Sequence, residues 1–135
     1  MVNNGYREAP YEKLQFYKNI CYIRKRIYAI TRPLEKSHLK IINQTRDAAR
    51  SAKQNIIEGY QKDSIGTFIQ HIKITKGSLG EALGDLKDLQ EDGLISRKDF
   101  EEIDGIGRKT DYMISRYIDS LYRMKKEKTW KTRFK

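Results

Sequence analysis

SIGTFIQHIKITKGSLGEALGDLKDLQED, residues 64–92, sets Ile65, Phe68, Ile72, Thr75, Leu79, Ala82, Leu86 and Leu89 at alternating spacings of three and four. An α-helix turns about 100° per residue, so this spacing keeps every one of them on a single side. Asp63 and Ser64 can cap the start, and the stripe runs until Gly93. The stretch therefore reads as one long amphipathic helix. The same period recurs before it, in Phe16, Ile20, Ile23, Ile27 and Ile30, and again in Ile42, Thr45, Ala49, Ala52 and Ile56, where Gly59 is well placed to end the helix because glycine accepts the left-handed conformation of a C-cap. After it, Ile103, Thr110, Ile114, Tyr117, Leu121 and Met124 share one face. Ser96 with Asp99 resembles a capping box, and Ile95 with Phe100 a hydrophobic staple.

No segment alternates with the two-residue period of a half-buried strand, so the expected fold is all-α. Helices are expected over about 11–31, 37–58, 64–92 and 97–126, joined by short connections into an up-down-up-down four-helix bundle spanning 1–124. Residues 125–135 form a basic, aromatic tail. Both prolines, Pro10 and Pro33, fall near the start, which leaves the later chain free to be helical. Gly105 and Gly107 are the weak point, since each interior glycine costs about 1 kcal/mol against alanine and invites a kink.

The chain has 135 residues, enough for one domain, with 38% hydrophobic and 34% charged residues, which argues against wholesale disorder. No apolar run approaches the roughly 18 residues that cross a bilayer, so no membrane partner is expected. Met1 to Pro10 lacks the blocks of a secretory signal, and Cys21 is the only cysteine. An intrachain disulfide is excluded, and the cytoplasm is the expected compartment.

With 28 Lys+Arg against 18 Asp+Glu, the net charge is +10, and it is unevenly sorted. From Glu81 to Asp104 there are nine acids and three bases, a net of 3 − 9 = −6, so the remainder carries +16. Glu81, Asp85, Asp88 and Asp92 share a stripe. Cations form rows: Lys18, Lys25 and Arg32; Lys109, Arg116 and Arg123; and Arg46, Arg50 and Lys53. A step of seven helical residues advances about 10 Å, which suits a line of contacts along a phosphate backbone. The tail adds Lys125, Lys126, Lys128, Lys131, Arg133 and Lys135, interleaved with Trp130 and Phe134. Cations mixed with aromatics suit single-stranded or structured nucleic acid, whose bases can stack. The competing explanation is a solubilising surface.

Two further stripes point to helix contacts. Leu14, Tyr17, Cys21 and Tyr28 lie about 120° from the first apolar stripe of their helix, which suggests a subunit interface or a border of the core. Gln44, Ala48, Ser51, Asn55 and Glu58 are polar but nearly uncharged, as in a close, hydrogen-bonded helix contact. Catalysis finds little support. His38 and His71 stand apart from any metal-ligand spacing and read as surface or helix-end residues, and Cys21 reads as a buried, inert thiol. Gly105-Ile106-Gly107 follows no strand, so it is no dinucleotide fingerprint. No catalytic residue, cofactor or metal is expected.

The segment from Asn43 to Tyr60, NQTRDAARSAKQNIIEGY, resembles the signature of the small bacterial four-helix-bundle proteins named for the 23S rRNA intervening sequences that encode some of them. That pattern is Arg, then Ser, then Asn-Ile-x-Glu-Gly, and it places the family's Ser, Asn and Glu on Ser51, Asn55 and Glu58. Ser64 to Phe68 and Lys76-Gly77-Ser78-Leu79 match the family's next segment, so the resemblance covers Tyr11 to Met124. The same fold is shared by the accessory variability determinant of diversity-generating retroelements, a basic homopentamer that binds nucleic acid and its reverse transcriptase. The resemblance implies a homo-oligomer, expected to be a pentamer, with a non-catalytic role. Its expected partners are RNA or DNA and a reverse transcriptase. The alternative it leaves is a structural or protein-interaction module that binds no nucleic acid.

Overall fold

All four apolar stripes become the inner sides of helices in the computed structural model, which describes residues 8–130. The helices are α1 (Gln15–Thr31), α2 (Leu39–Tyr60), α3 (Ile65–Glu91) and α4 (Arg97–Glu127), and no strand occurs among the described residues. Each packs against its two neighbours in the order α1, α2, α3, α4 and back to α1, so the bundle closes up-down-up-down. Its centre holds Phe16, Ile20, Ile23 and Ile27 of α1, Ile42 and Ile56 of α2, Phe68, Ile72, Leu79 and Leu86 of α3, and Ile103, Ile114 and Leu121 of α4. Burying a side chain of this size stabilises by about 1.5–3 kcal/mol. Ile30, Ile65, Tyr117 and Met124, also expected inside, are half-buried at the core's margin, while Ile69 and Ile118 are buried beyond the expected stripe.

Threonines fill core positions without leaving an unpaired hydroxyl. Thr45 donates to the Ile41 carbonyl at 2.8 Å, Thr110 to that of Ile106 at 2.7 Å, and Thr75 crosses from α3 to the Ala52 carbonyl of α2 at 2.9 Å. Burial of a hydroxyl without such a partner costs about 1–3 kcal/mol.

Serine side chains cap the starts of α3 and α4, and the first expected helix divides. Ser64 Oγ accepts from Thr67 N at 3.3 Å, and Ser96 Oγ from Asp99 N at 3.0 Å. Gly93, at φ 75°, turns the chain out of α3, and Leu94 N then reaches the Leu89 carbonyl at 2.8 Å. The helix expected over 11–31 divides: Pro10–Lys13 form a 3-10 turn, and Leu14 is extended before α1 begins. Glu12 accepts from Ala9 N at 2.9 Å, which closes the short turn on itself.

Tyr22 and Arg26 fasten α1 to the start of α4. The Tyr22 hydroxyl donates to Glu102 at 2.6 Å, while Arg26 reaches Glu102 at 3.1 Å and Asp99 at 3.3 Å. The Tyr22 hydrogen bond first, and that of Arg26 after it, hold the Glu102 carboxyl below its ordinary range despite partial desolvation. A lowered carboxyl favours the folded state above its unfolded pKa and loses that contribution as pH falls through the folded one.

Gly59 and Gly107 correct two expectations. Gly59 does not end α2, which runs to Tyr60; it is buried where α3 crosses closest, and a Cβ there would lie 2.6 Å from His71 Cβ. Gly107 introduces no break in α4, and its missing side chain makes room for Leu83, whose methyls stand 2.6 Å from the Cβ position. At Gly105 a Cβ would meet no neighbouring element within 4 Å. His71 Cβ is fixed to the α3 backbone and cannot rotate away, so Gly59→Ala should destabilise by about 1–3 kcal/mol. Gly105→Ala should stabilise by about 0.5–1 kcal/mol through helix propensity. Urea denaturation followed by circular dichroism checks both signs.

Candidate nucleic-acid interface

Helix geometry alone would leave three rows of cations outside; packing keeps two. Lys18, Lys25 and Arg32 are exposed along α1 and its end, and Lys109, Arg116 and Arg123 along α4, the neighbour of α1 in the bundle. The α2 row does not form. Arg50 is exposed and Lys53 half-buried, but Arg46 is only 7% exposed and is committed to the fold. Its Nε donates to Thr31 Oγ1 at 3.0 Å, its Nη2 to the Tyr28 carbonyl at 3.3 Å, and its Nη1 pairs with Glu35 at 2.8 Å. The guanidinium also lies 4.3 Å from the Tyr28 ring centroid. Arg46 thus ties α2 to the end of α1, and its burial withdraws it from an exposed row.

The tail corrects a second expectation. Lys125, Lys126 and Lys128 are exposed, with Lys128 in the left-handed conformation that closes α4 at φ 57°. The chain then turns back, and the Trp130 ring stacks on Phe68 with centroids 5.5 Å apart. Trp130 is packed against the core, so it is a latch for the end of α4 and not an open platform for a base. Lys131, Arg133 and Lys135 lie outside the described residues.

Freedom from ion pairs is shared by most of the described cations, Arg50 and Lys53 included; what sets the two surviving rows apart is that all six of their members are also exposed. Ion pairs engage Arg26, Arg46, Lys76, Arg97 and Arg108. Among the described residues no carboxylate pairs with Lys18, Lys25, Lys109 or Arg123, and Arg116 uses one guanidinium nitrogen on the Tyr112 hydroxyl at 3.1 Å. Tyr112, in the middle of the α4 row, was not singled out by the sequence pattern. Its position between Lys109 and Arg116 is the signal that could have found it.

The polar stripe of α2 faces α3 within the same chain. Ser51 meets Ser78, hydroxyl to hydroxyl, at 2.9 Å; Asn55 donates to the Ser51 carbonyl at 3.0 Å; and Asn55 Oδ1 lies 2.9 Å from His71 Nδ1. Gln44 donates to Asp85 at 3.3 Å and Thr45 Oγ1 lies 3.3 Å from the same carboxylate, so one member of the acidic stripe is buried in this seam at 8% exposure. Glu58 is exposed and stands apart from these contacts. His71 is therefore a seam residue and not a surface one. The second stripe of α1 also finds partners in the chain: Leu14 and Tyr17 pack on the core, Tyr17 meets Tyr11 edge-on at 5.1 Å, and Tyr28 carries Arg46. Cys21 is half-buried. Among the described residues, no group of three or more His, Cys, Asp or Glu is placed to hold a metal, and no helix is long and apolar enough to cross a membrane.

The model of one protein family, described as 23S rRNA-intervening sequence protein, matches residues 12–116. The chain belongs to that family. The 23S rRNA-intervening sequence match takes in the whole α2–α3 seam and the cations Lys18, Lys25, Lys109 and Arg116, while Arg123 and the tail cations lie beyond it. No curated protein matches the chain.

Separate duties for inward and outward arginines lead to opposite expectations. Arg46→Gln should lower stability by about 1–3 kcal/mol, because it removes charge-assisted hydrogen bonds from a buried site. It should leave the salt dependence of polyanion binding unchanged. Arg116→Gln should leave the urea midpoint nearly unchanged and make that salt dependence shallower. Paired denaturation and salt-titration measurements separate the two.

Proposed function

We propose that this protein is a non-catalytic, oligomeric nucleic-acid-binding protein, with RNA the expected ligand, that acts in the cytoplasm as an accessory subunit of a retroelement reverse transcriptase. The observation that carries the binding is the pair of unneutralised cation rows on adjacent helices α1 and α4. Carboxylates near enough to pair select other cations, so the rows remain available to phosphates. A charge of +10 supplies long-range attraction to a polyanion. The reverse-transcriptase role rests on the signature centred on Asn55 to Gly59, and no residue is assigned a chemical step.

Assembly into an oligomer is supported by apolar side chains left outside, Leu39 and Ile74 among them, and by the open glycine face of α3 at Gly77, Gly80 and Gly84, where nothing lies within 4 Å of a Cβ position. A pentamer of 16.0 kDa chains is the expected form. Light scattering in moderate salt should give a mass near five chains, and a mass of 16.0 kDa would refute assembly.

The binding reading makes a quantitative claim about salt. Each phosphate contact contributes about 0.7 to the slope of log affinity against log salt for single strands, and about 0.9 for duplex. Replacing Lys109, Arg116 and Arg123 together by Gln removes at most three contacts per protomer, so the single-strand slope should become shallower by up to about 2. Affinity should fall for all sequences alike. Heparin is the control: if structured RNA binds no better than heparin, or if the triple variant keeps its affinity and slope, the rows serve solubility. The alternative then applies, in which the exposed carboxylates Glu81, Asp88 and Asp92 mark the protein-interaction surface of a module without nucleic acid.

A further inference from the structure

Tyr112 is 61% exposed, the most exposed of the large apolar and aromatic side chains described, although it lies on a helix with a well-filled inner face. Burial alone would place a tyrosine at the margin of the core, as it does Tyr11, Tyr17, Tyr60 and Tyr117. Tyr112 instead points outward from α4, one turn from Lys109 on one side and from Arg116 on the other. The Arg116 guanidinium lies 5.9 Å from its ring centroid and donates to its hydroxyl at 3.1 Å, so the side chain is positioned although it is not packed. Farther along α4, Tyr122 is 42% exposed, but its cation is Lys73 Nζ of α3, 5.0 Å from its ring centroid, so it lies toward α3 and apart from the Lys109–Arg116 row. Trp130, the aromatic that composition alone would choose, is occupied by Phe68.

We infer that Tyr112 is the base-stacking platform of this surface and that its ligand is single-stranded nucleic acid, with Lys109 and Arg116 holding the phosphates on either side of the stacked base. The inference rests on the nucleic-acid reading above and adds the strandedness of the ligand and the residue that selects it. A base inside a duplex has both faces covered by its neighbours, whereas an unpaired base offers a face to an exposed ring. Lys109, Arg116 and Arg123 meet phosphates in either case. The rows therefore set affinity for any polyanion, and Tyr112 adds a contact that only an unpaired base can make. Arg116 orients the ring and supports it by a cation–π contact.

The test measures binding of the full chain to a fluorescent 20-nucleotide poly(U) and to a 20-base-pair RNA duplex at one salt concentration. Loss of one stacked base should weaken poly(U) binding by Tyr112→Ala roughly 5- to 150-fold, with less than about a twofold change on the duplex. Tyr112→Phe, which keeps the ring and loses the hydroxyl, should retain most of the poly(U) affinity. Ultraviolet cross-linking of poly(U) to the wild-type protein should label the peptide that contains Tyr112. Light scattering of each variant shows whether assembly has changed. The inference is overturned if Tyr112→Ala weakens poly(U) and duplex alike, leaves both unchanged, or alters the assembled mass, because the residue would then be a general contact, a bystander or an interface residue. Should the wild-type chain bind neither probe better than heparin, the nucleic-acid reading itself fails. A wild type that binds both probes with steep salt dependence, beside an unaffected Tyr112→Ala, retires the stacking role alone.

Discussion

The bundle depends on how closely α2 and α3 approach each other. Small residues face α3 along α2, Ala48, Ser51, Ala52 and Gly59, and at Gly59 the clearance is so small that a methyl group would meet His71 Cβ. At such separation backbone and short side chains lie within hydrogen-bonding reach, which lets Thr75 bond the Ala52 carbonyl and lets Ser51, Asn55, Ser78 and His71 form one connected seam. Long charged side chains have no room there. Among the described residues no lysine or arginine takes part in this seam, and the one that is buried, Arg46, lies instead between α2 and the end of α1.

Much of this was legible in the sequence because it depends on periodicity alone. Alternating spacings of three and four locate four helices to within a few residues, and Ser64, Ser96 and Gly93 mark their ends by local backbone chemistry. The failures share a physical cause. Arg46 looks like any other cation in a row of three until the end of α1 supplies Thr31, the Tyr28 carbonyl and Glu35, none of which is predictable from the spacing within α2. Gly59 looks like a helix terminator because its need for space comes from α3, not from its own backbone. Trp130 looks like a free aromatic because its partner, Phe68, is distant in the chain and is brought near only by the antiparallel return of α4. Local signals were readable, and contacts between helices were not. The candidate surface was accordingly legible as rows of charge, while the sorting of committed from available cations required the packed structure.

That sorting has a chemical logic. Among the described residues, four of the five ion-paired cations are arginines, Arg26, Arg46, Arg97 and Arg108, and two of them use several nitrogens at once. A planar guanidinium can satisfy such divided demands in fixed directions, whereas an ammonium group is a compact point charge that keeps its hydration. Lys18, Lys25 and Lys109 remain outside as hydrated charges on flexible stems. Of the four, Arg26 and Arg46 join helices, whereas Arg97 and Arg108 pair one turn away within α4, and Arg32, Arg116 and Arg123 stay on the surface beside the lysines.

The uneven distribution of charge also acts at a distance. The window from Glu81 to Asp104, net −6, lies where α3 hands over to α4, and the other described residues carry 21 − 9 = +12. A molecule with its charge so divided has a permanent electric moment in addition to its net charge. In the field of a polyanion it experiences a torque as well as an attraction, so tumbling is biased before contact and the end bearing the α3–α4 turn is rotated away.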